Sequence, residues 1–253
     1  ETKSLFFDGT HRSWMLMKRA FEGFGNCLIV TSVSPWLESR AKQSPILSDA
    51  KHVTVLNGLD TTVFKLYDKL ECRCKFNIPE EKKMVFHATA TFSIDRNSIK
   101  GGWYVCELAK LMPDVLFVVA GPHADGISVP NNVRLLGRIA NQTDLAQLYA
   151  AADTTVLASK RETFSMVTAE SLCCGTPIVG FKAGAPEEIT LPDYSRFVEY
   201  GDVVACKEAL CDFLSKVWDS VEIEKEAHRK YAREVMTSAY IKVYESMIKR
   251  DEQ

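Results

Sequence analysis

Two carboxylates eight positions apart, Glu162 and Glu170, frame the most chemically loaded stretch of this sequence, SKRETFSMVTAESLCCGTPIVG from Ser159 to Gly180. Glu170 falls among Ala169, Leu172 and Cys173, where a charge without a partner is costly. Glu162 precedes a helix that begins near Phe164 and ends at Gly175, a good C-terminal cap. Ser165, Met166 and Val167 occupy the first turn, whose N–H groups lack intrahelical acceptors and attract anions. The segment can therefore bind hydroxyl groups on both sides of a phosphate. Two solvated glutamates on an ordinary β-α-β unit would show the same spacing, so the decision rests on residues elsewhere.

Three further places offer matching chemistry. Lys100-Gly101-Gly102 lies where a strand passes into a helix; the glycines let a phosphate approach the backbone and Lys100 adds a point charge. Gly137-Arg138 follows another strand, with Arg138 available to stack on a base or to neutralise phosphate. The run KAGAPEE, Lys182 to Glu188, follows a third; Glu188 reads as a structural cap of the next short helix, and Glu187 stays open. A parallel sheet binds ligands outside the carboxyl ends of its strands, and all these loops fall on that edge.

The elements that position these residues alternate regularly. Strands are expected at 84–88, 115–120, 133–136, 154–158 and 177–181, with helices at 101–111, 144–151 and in the central segment. This rhythm means an α/β fold, a Rossmann-like parallel sheet with helices on both faces, followed by a helical C-terminal tail. Residues 12–24 read as a helix with a ragged apolar face, 27–31 and 53–56 as short strands, and Ser34-Pro35 as a helix start. The expected organisation is a domain remnant at 1–56, a linker at 57–82, the main domain at 83–236 and a terminal helix at 237–253.

With 253 residues, 46% of them hydrophobic, the chain can bury a substantial core. A formal charge of −2 gives no case for nucleic acid as a partner. No apolar run is long enough to span a bilayer. Of the eight cysteines, Cys27, Cys106, Cys173, Cys206 and Cys211 read as small buried hydrophobes. Cys72 and Cys74 lack a second pair or a His cluster to complete a metal site. A reduced, intracellular protein is expected, in which the Asn141-Gln142-Thr143 sequon is incidental. The first residue is Glu1, and the chain reads as a fragment or a processed product. There is no G-x-G-x-x-G, Walker A, Asp-x-Asp or G-x-S-x-G pattern, which weakens dinucleotide, metal-diphosphate and acyl-transfer readings.

Taken together, the chain resembles the retaining glycosyltransferases of family 4, which have the GT-B fold. The resemblance rests on VLNGLDTTVF (Val55 to Phe64), Lys100-Gly101, Val133–Gly137 with Leu145–Asp153, the Glu162–Glu170 pair as an E-x7-E motif, and Ala183–Glu187. It covers most of the chain, chiefly the C-terminal, donor-binding half. The resemblance implies that Glu170 holds the ribose of a nucleotide-sugar and Glu162 the hydroxyls of the transferred hexose. Lys100, Gly101 and the amides of Ser165, Met166 and Val167 would hold the diphosphate as leaving group, with Glu162 and Lys100 as the catalytic pair. Phe164, Gly137 and Arg138 complete the implied donor site. No metal or other cofactor is implied.

Three departures from the family pattern matter. The expected Arg before Lys-Gly is absent from His87–Thr91, leaving Arg96 as the nearest candidate. Ser165 stands where the family has Gly, crowding the amides but adding a hydroxyl donor. Ala183 replaces the first Gly of the family's Gly-Gly. The implied partners are the nucleotide-sugar and a saccharide or lipid-linked acceptor. Cytoplasmic location is implied, with peripheral membrane association at the inner face through the rest of an N-terminal domain, and bacterial-style surface-polysaccharide assembly as the setting. A non-catalytic nucleotide- or sugar-binding module is the competing reading. A GT-B epimerase would need ionisable groups that E-x7-E does not supply.

Overall fold

The computed structural model describes residues 9–24 and 27–251. The chain divides into two compact units between Leu56 and Asn57. In the first, helix α1 (Thr10–Phe21) buries none of its residues. Strand β1 (Ile29–Ser32) pairs in parallel with β2 (Lys51–Thr54) across helix α2 (Pro35–Lys42). Ser34 caps α2, its hydroxyl accepting from the Leu37 amide at 3.1 Å with Pro35 at the first helical position, as the sequence predicts.

The second unit starts with α3 (Lys69–Lys75), capped by Asp68. There follow β3 (Met84–Ala88), α4 (Gly102–Leu111), β4 (Leu116–Ala120), β5 (Val133–Leu135), α5 (Gln142–Ala151), β6 (Thr154–Leu157), α6 (Met166–Cys173), β7 (Ile178–Phe181) and α7 (Pro186–Ile189). The chain ends through β8 (Ser195–Val198), α8 (Val203–Ser215), α9 (Ser220–Tyr231) and α10 (Arg233–Asp251). All strand pairings here are parallel, in the order β5-β4-β3-β6-β7-β8. This is a Rossmann-like parallel sheet flanked by helices, with a helical C-terminal region.

The sequence dictates this sheet through burial on both faces. Every residue of β3, β4, β6 and β7 is buried, as parallel strands covered by helices must be. Val85, Phe117, Val119, Val156, Val179 and Phe181 point to one face and pack with the apolar sides of α4 and α8. The other face is covered by α5 and α6, which in turn carry α3 and α9. Strand β8 goes unannounced in the sequence because it is a half-exposed edge strand, SRFV, without a continuous apolar run.

A saturated ion cluster holds the amino edge of the sheet. Arg73 is only 4% exposed. Its guanidinium donates to the carbonyls of Ala151, Pro79, Glu80 and Lys82 and to Asp153 Oδ2 at 2.8 Å. Asp153 also accepts from Lys69 at 2.8 Å and from the Met84 amide at 2.7 Å. Residues 69–82 are thereby fixed against the start of β3.

Candidate active site

The strand order reverses between β3 and β6, and the loops leaving these strands part at that point. A cavity of about 460 Å³ opens at this carboxyl edge. Its floor is made by the ends of β3 and β4 (Ala88, Thr89, Ala120, Gly121), and its walls by Arg138, Leu145 and the α6 residues Met166, Val167 and Glu170. Of the residues singled out in the sequence, the structure brings Glu170, Arg138, Met166 and Val167 together around this one space. Gly137 does not line it; its carbonyl accepts from the Gly121 amide at 2.8 Å, which joins the loop after β5 to the end of β4. Arg138 is exposed, and among the described residues no carboxylate pairs with it.

Glu170 is half-buried. Its Oε2 accepts from the Tyr149 hydroxyl at 2.8 Å. Burial pushes its carboxyl above the usual range, and the Tyr149 hydrogen bond opposes that shift. Tyr149 is itself fully buried on α5, edge-on to Phe86 at 4.9 Å, and burial next to Glu170 pushes its phenol well up. The sequence reading missed this residue; the signal was a tyrosine on the buried face of a helix whose next turn ends in Asp153.

Lys100 and Glu162 form a second cluster, joined at 2.8 Å and each partly buried. Glu162 is fixed by backbone pairing with the loop after β7: its amide donates to the Ala183 carbonyl and its carbonyl accepts from Ala185. That loop is held by Glu187, whose carboxylate accepts from the amides of Ala183 at 3.0 Å and Gly184 at 3.1 Å. The structural carboxylate is therefore Glu187, whereas Glu188, favoured for that role from the sequence, is exposed.

Other expectations change on the structure. Phe164 is 2% exposed and packs edge-on against Tyr231, so its side chain belongs to the core and cannot line a ligand site. The Ser165 hydroxyl is spent as the α6 N-cap, accepting from the Thr168 amide and meeting the Thr168 hydroxyl at 2.9 Å. Ser165 also sits at φ 81°, a left-handed conformation that a glycine would adopt without strain.

The glycines before α4 answer first to protein packing. A Cβ on Gly101, at φ 71°, would lie 1.9 Å from the Ala158 carbonyl oxygen, and one on Gly102 would lie 2.6 Å from that of Ser93. They let the loop after β3 close against β6, which is what carries Lys100 to Glu162.

Arg96 stacks on the Trp103 ring at 4.9 Å. His87, on β3, is buried, with Nδ1 donating to the Val156 carbonyl at 3.0 Å and Nε2 without a partner. Burial, with the Lys100 charge nearby, pulls its pKa down to about 4 against the Val156 bond, so it is neutral at pH 7. Asn141 caps α5 through the Thr143 amide. Cys27 and Cys211, read as buried, are exposed, while Cys106, Cys173, Cys174 and Cys206 are buried free thiols. Among the described residues no group of three or more His, Cys, Asp or Glu side chains is placed to hold a metal ion. No described helix is long and apolar enough to cross a membrane.

A Rossmann-like parallel sheet of this strand order, flanked by helices and followed by a helical C-terminal region, matches one half of a GT-B fold. The chain is similar to GT-B fold glycosyltransferases. Residues 99–216 match the family described as Glycosyl transferases group 1. The chain is 25% identical over 225 residues to N-acetyl-alpha-D-glucosaminyl L-malate synthase from Bacillus anthracis, covering 84% of this chain and 55% of that protein. It is 29% identical over 151 residues to D-inositol 3-phosphate glycosyltransferase from Mycobacterium bovis, covering 54% of this chain and 30% of the relative. The chain thus spans about half the length, or less, of these curated relatives.

Among solved structures, sucrose-phosphate synthase from Thermosynechococcus elongatus superimposes with a TM-score of 0.77 at 18% identity, covering 97% of this chain and 65% of that one. HepE from Anabaena in complex with UDP superimposes with a TM-score of 0.70 at 19% identity, covering 95% of this chain and 70% of that one.

Proposed function

We propose that the chain is the donor-binding part of a retaining hexosyltransferase that uses a nucleotide-diphosphate sugar. The observation that carries this reading is the cavity at the carboxyl edge, into which Glu170 projects beside the start of α6. Glu170 accepts hydroxyls of the ribose. The amides at the α6 N-terminus, which have no intrahelical acceptor, meet the diphosphate, and Lys100 moves from Glu162 to the phosphate as the charge develops on leaving. Glu162, released from Lys100, takes hydroxyls of the hexose. Arg138 faces the base. This division of charge assigns the diphosphate to Lys100 and backbone dipoles and requires no metal.

The acceptor class is a saccharide or a lipid-linked saccharide, in polysaccharide assembly at the cytoplasmic side of a membrane. Residues 1–56 are the last part of an acceptor domain, 57–82 the connection, 83–236 the donor domain and 237–253 a terminal helix. The chain binds donor, but by itself transfers sugar slowly, because acceptor-side groups of a GT-B protein come from the other domain. Calorimetric titration with UDP, GDP and ADP and their sugars tests the reading, with UDP tried first since the HepE structure holds it. Binding of one nucleotide series with sugar-dependent affinity is the expected result. No binding by any of them favours a module that has lost transfer chemistry. Transfer at a rate equal to that of a longer form of the protein would remove the claim about the acceptor side.

A further inference from the structure

Glu170 has two carboxylate oxygens with different surroundings. Oε2 is taken by the Tyr149 phenol at 2.8 Å, whereas Oε1 has no hydrogen-bond partner among the described residues, and the side chain lines the cavity. Tyr149 has no freedom to give this bond up. Its ring is fully buried edge-on to Phe86, and its carbonyl accepts from Thr176 Oγ1 at 2.8 Å. The Thr176 carbonyl accepts from Ser171 Oγ at 2.9 Å, and the same Ser171 hydroxyl reaches Thr155 Oγ1 at 2.7 Å. One buried polar chain therefore ties α5, the start of β7, α6 and β6 together, and Tyr149 presents its hydroxyl to Glu170 from the end of it.

On the reading of the cavity as a nucleotide site, we propose that Tyr149 is a positioning residue for nucleotide binding: it pins one oxygen of Glu170 and leaves the other directed at the ribose hydroxyls. The same bond favours the ionised carboxylate. Burial favours the neutral acid, and a hydrogen bond donated to the anion opposes that preference. The phenol serves as a constant donor because its own proton is held far above the physiological range.

The charged and titratable groups around Glu170 are Tyr149 from α5, Arg138 on the same cavity, and Cys173 and Cys174 at the end of its own helix, with Glu224 from α9 acting on the same two thiols. Burial pushes Cys173 up to about 12 and Cys174 well above its usual value, so both stay neutral thiols. Glu224 is engaged with the Leu66 amide at 2.9 Å.

The test is titration of the full chain with UDP across pH 4.5 to 8, comparing wild type, Tyr149→Phe, Glu170→Gln and the double variant. Tyr149→Phe removes one oxygen and keeps the ring that packs on Phe86. The expected result is about tenfold weaker binding at pH 7.5, with the acid loss of affinity moved to higher pH. Glu170→Gln should abolish the pH step, and adding Tyr149→Phe to it should change affinity no further. Fluorotyrosine at position 149, a more acidic phenol and a stronger donor, should move the step to lower pH, and it guards against a folding defect in the phenylalanine variant.

Wild-type affinity and an unmoved pH step in Tyr149→Phe, with Glu170→Gln weakened, would overturn the positioning role and leave the nucleotide site standing. An equal loss from Tyr149→Phe in both backgrounds would reduce Tyr149 to packing. Absence of UDP, GDP and ADP binding to the wild type would remove the site and this role together.

Discussion

The two edges of the large sheet treat buried charge in opposite ways. At the amino edge, Arg73 makes five hydrogen bonds and both oxygens of Asp153 are taken. At the carboxyl edge, among the described residues, Glu170 has one side-chain hydrogen bond, Lys100 and Glu162 have only each other as ionic partners, and His87 keeps a bare buried nitrogen. A saturated charge cluster can only hold the fold together. An unsaturated one, next to a cavity, has valence left for a ligand. The difference separates scaffold from site more sharply than burial does, since both edges bury charged groups.

The largest expected effect falls on the saturated edge. Arg73→Ala would leave Asp153 with Lys69 and the Met84 amide alone and open four carbonyls, costing about 3–5 kcal/mol of stability by urea denaturation. UDP affinity of the folded protein should stay unchanged; a variant that keeps its stability but loses UDP would break the division between the edges.

Next comes a pH effect from the carboxyl edge. Unfolded His87 takes a proton near its ordinary value of 6.5, whereas the folded residue resists it down to about 4. Its contribution is therefore fully present above pH 6.5 and is lost as pH falls through that window, by about 3 kcal/mol in all. His87→Asn should flatten this part of a stability-against-pH curve, and parallel curves for the two proteins would count against a buried neutral imidazole.

The remaining pair sharpens the site itself. Glu170→Ala should weaken nucleotide binding about 30-fold, roughly 2 kcal/mol. Glu162→Ala should alter nucleotide affinity by less than about 1 kcal/mol and mainly reduce discrimination between sugars of the same nucleotide. Reversed effects, read by calorimetry, would exchange the two assignments.

Much of the scaffold was legible because parallel strands buried on both faces must be apolar throughout. MVFHA, LFVVA and PIVGF could hardly be anything else, and Gly175 ends α6 in the left-handed conformation expected of it. The edge strand β8 was hidden by its half-exposed composition. At the site, residue type located Glu162, Glu170 and Lys100 but not their partners. That Lys100 pairs with Glu162, or that Tyr149 reaches Glu170 across two helices, depends on tertiary distance, for which spacing along a chain carries no signal. Phe164 illustrates the converse: a residue next to the site in sequence whose side chain turned into the core. Glu187 and Glu188 differ by one position and by which of them faces the loop amides, a matter of local backbone path.

One contact gives the second unit a beginning that depends on its end. The Leu59 amide donates to the Tyr231 carbonyl at 2.7 Å, and the Arg233 amide donates back to the Leu59 carbonyl at 2.9 Å, across the break between α9 and α10. Leu59 is 4% exposed in this position. On a ribosome adding about 5–20 residues per second, the first residues of the unit wait roughly ten to thirty seconds for the partner that seals them. Until then the strands can assemble, but the seam of the domain stays open, and a chaperone or a protease meets a domain whose first segment is its last to be secured.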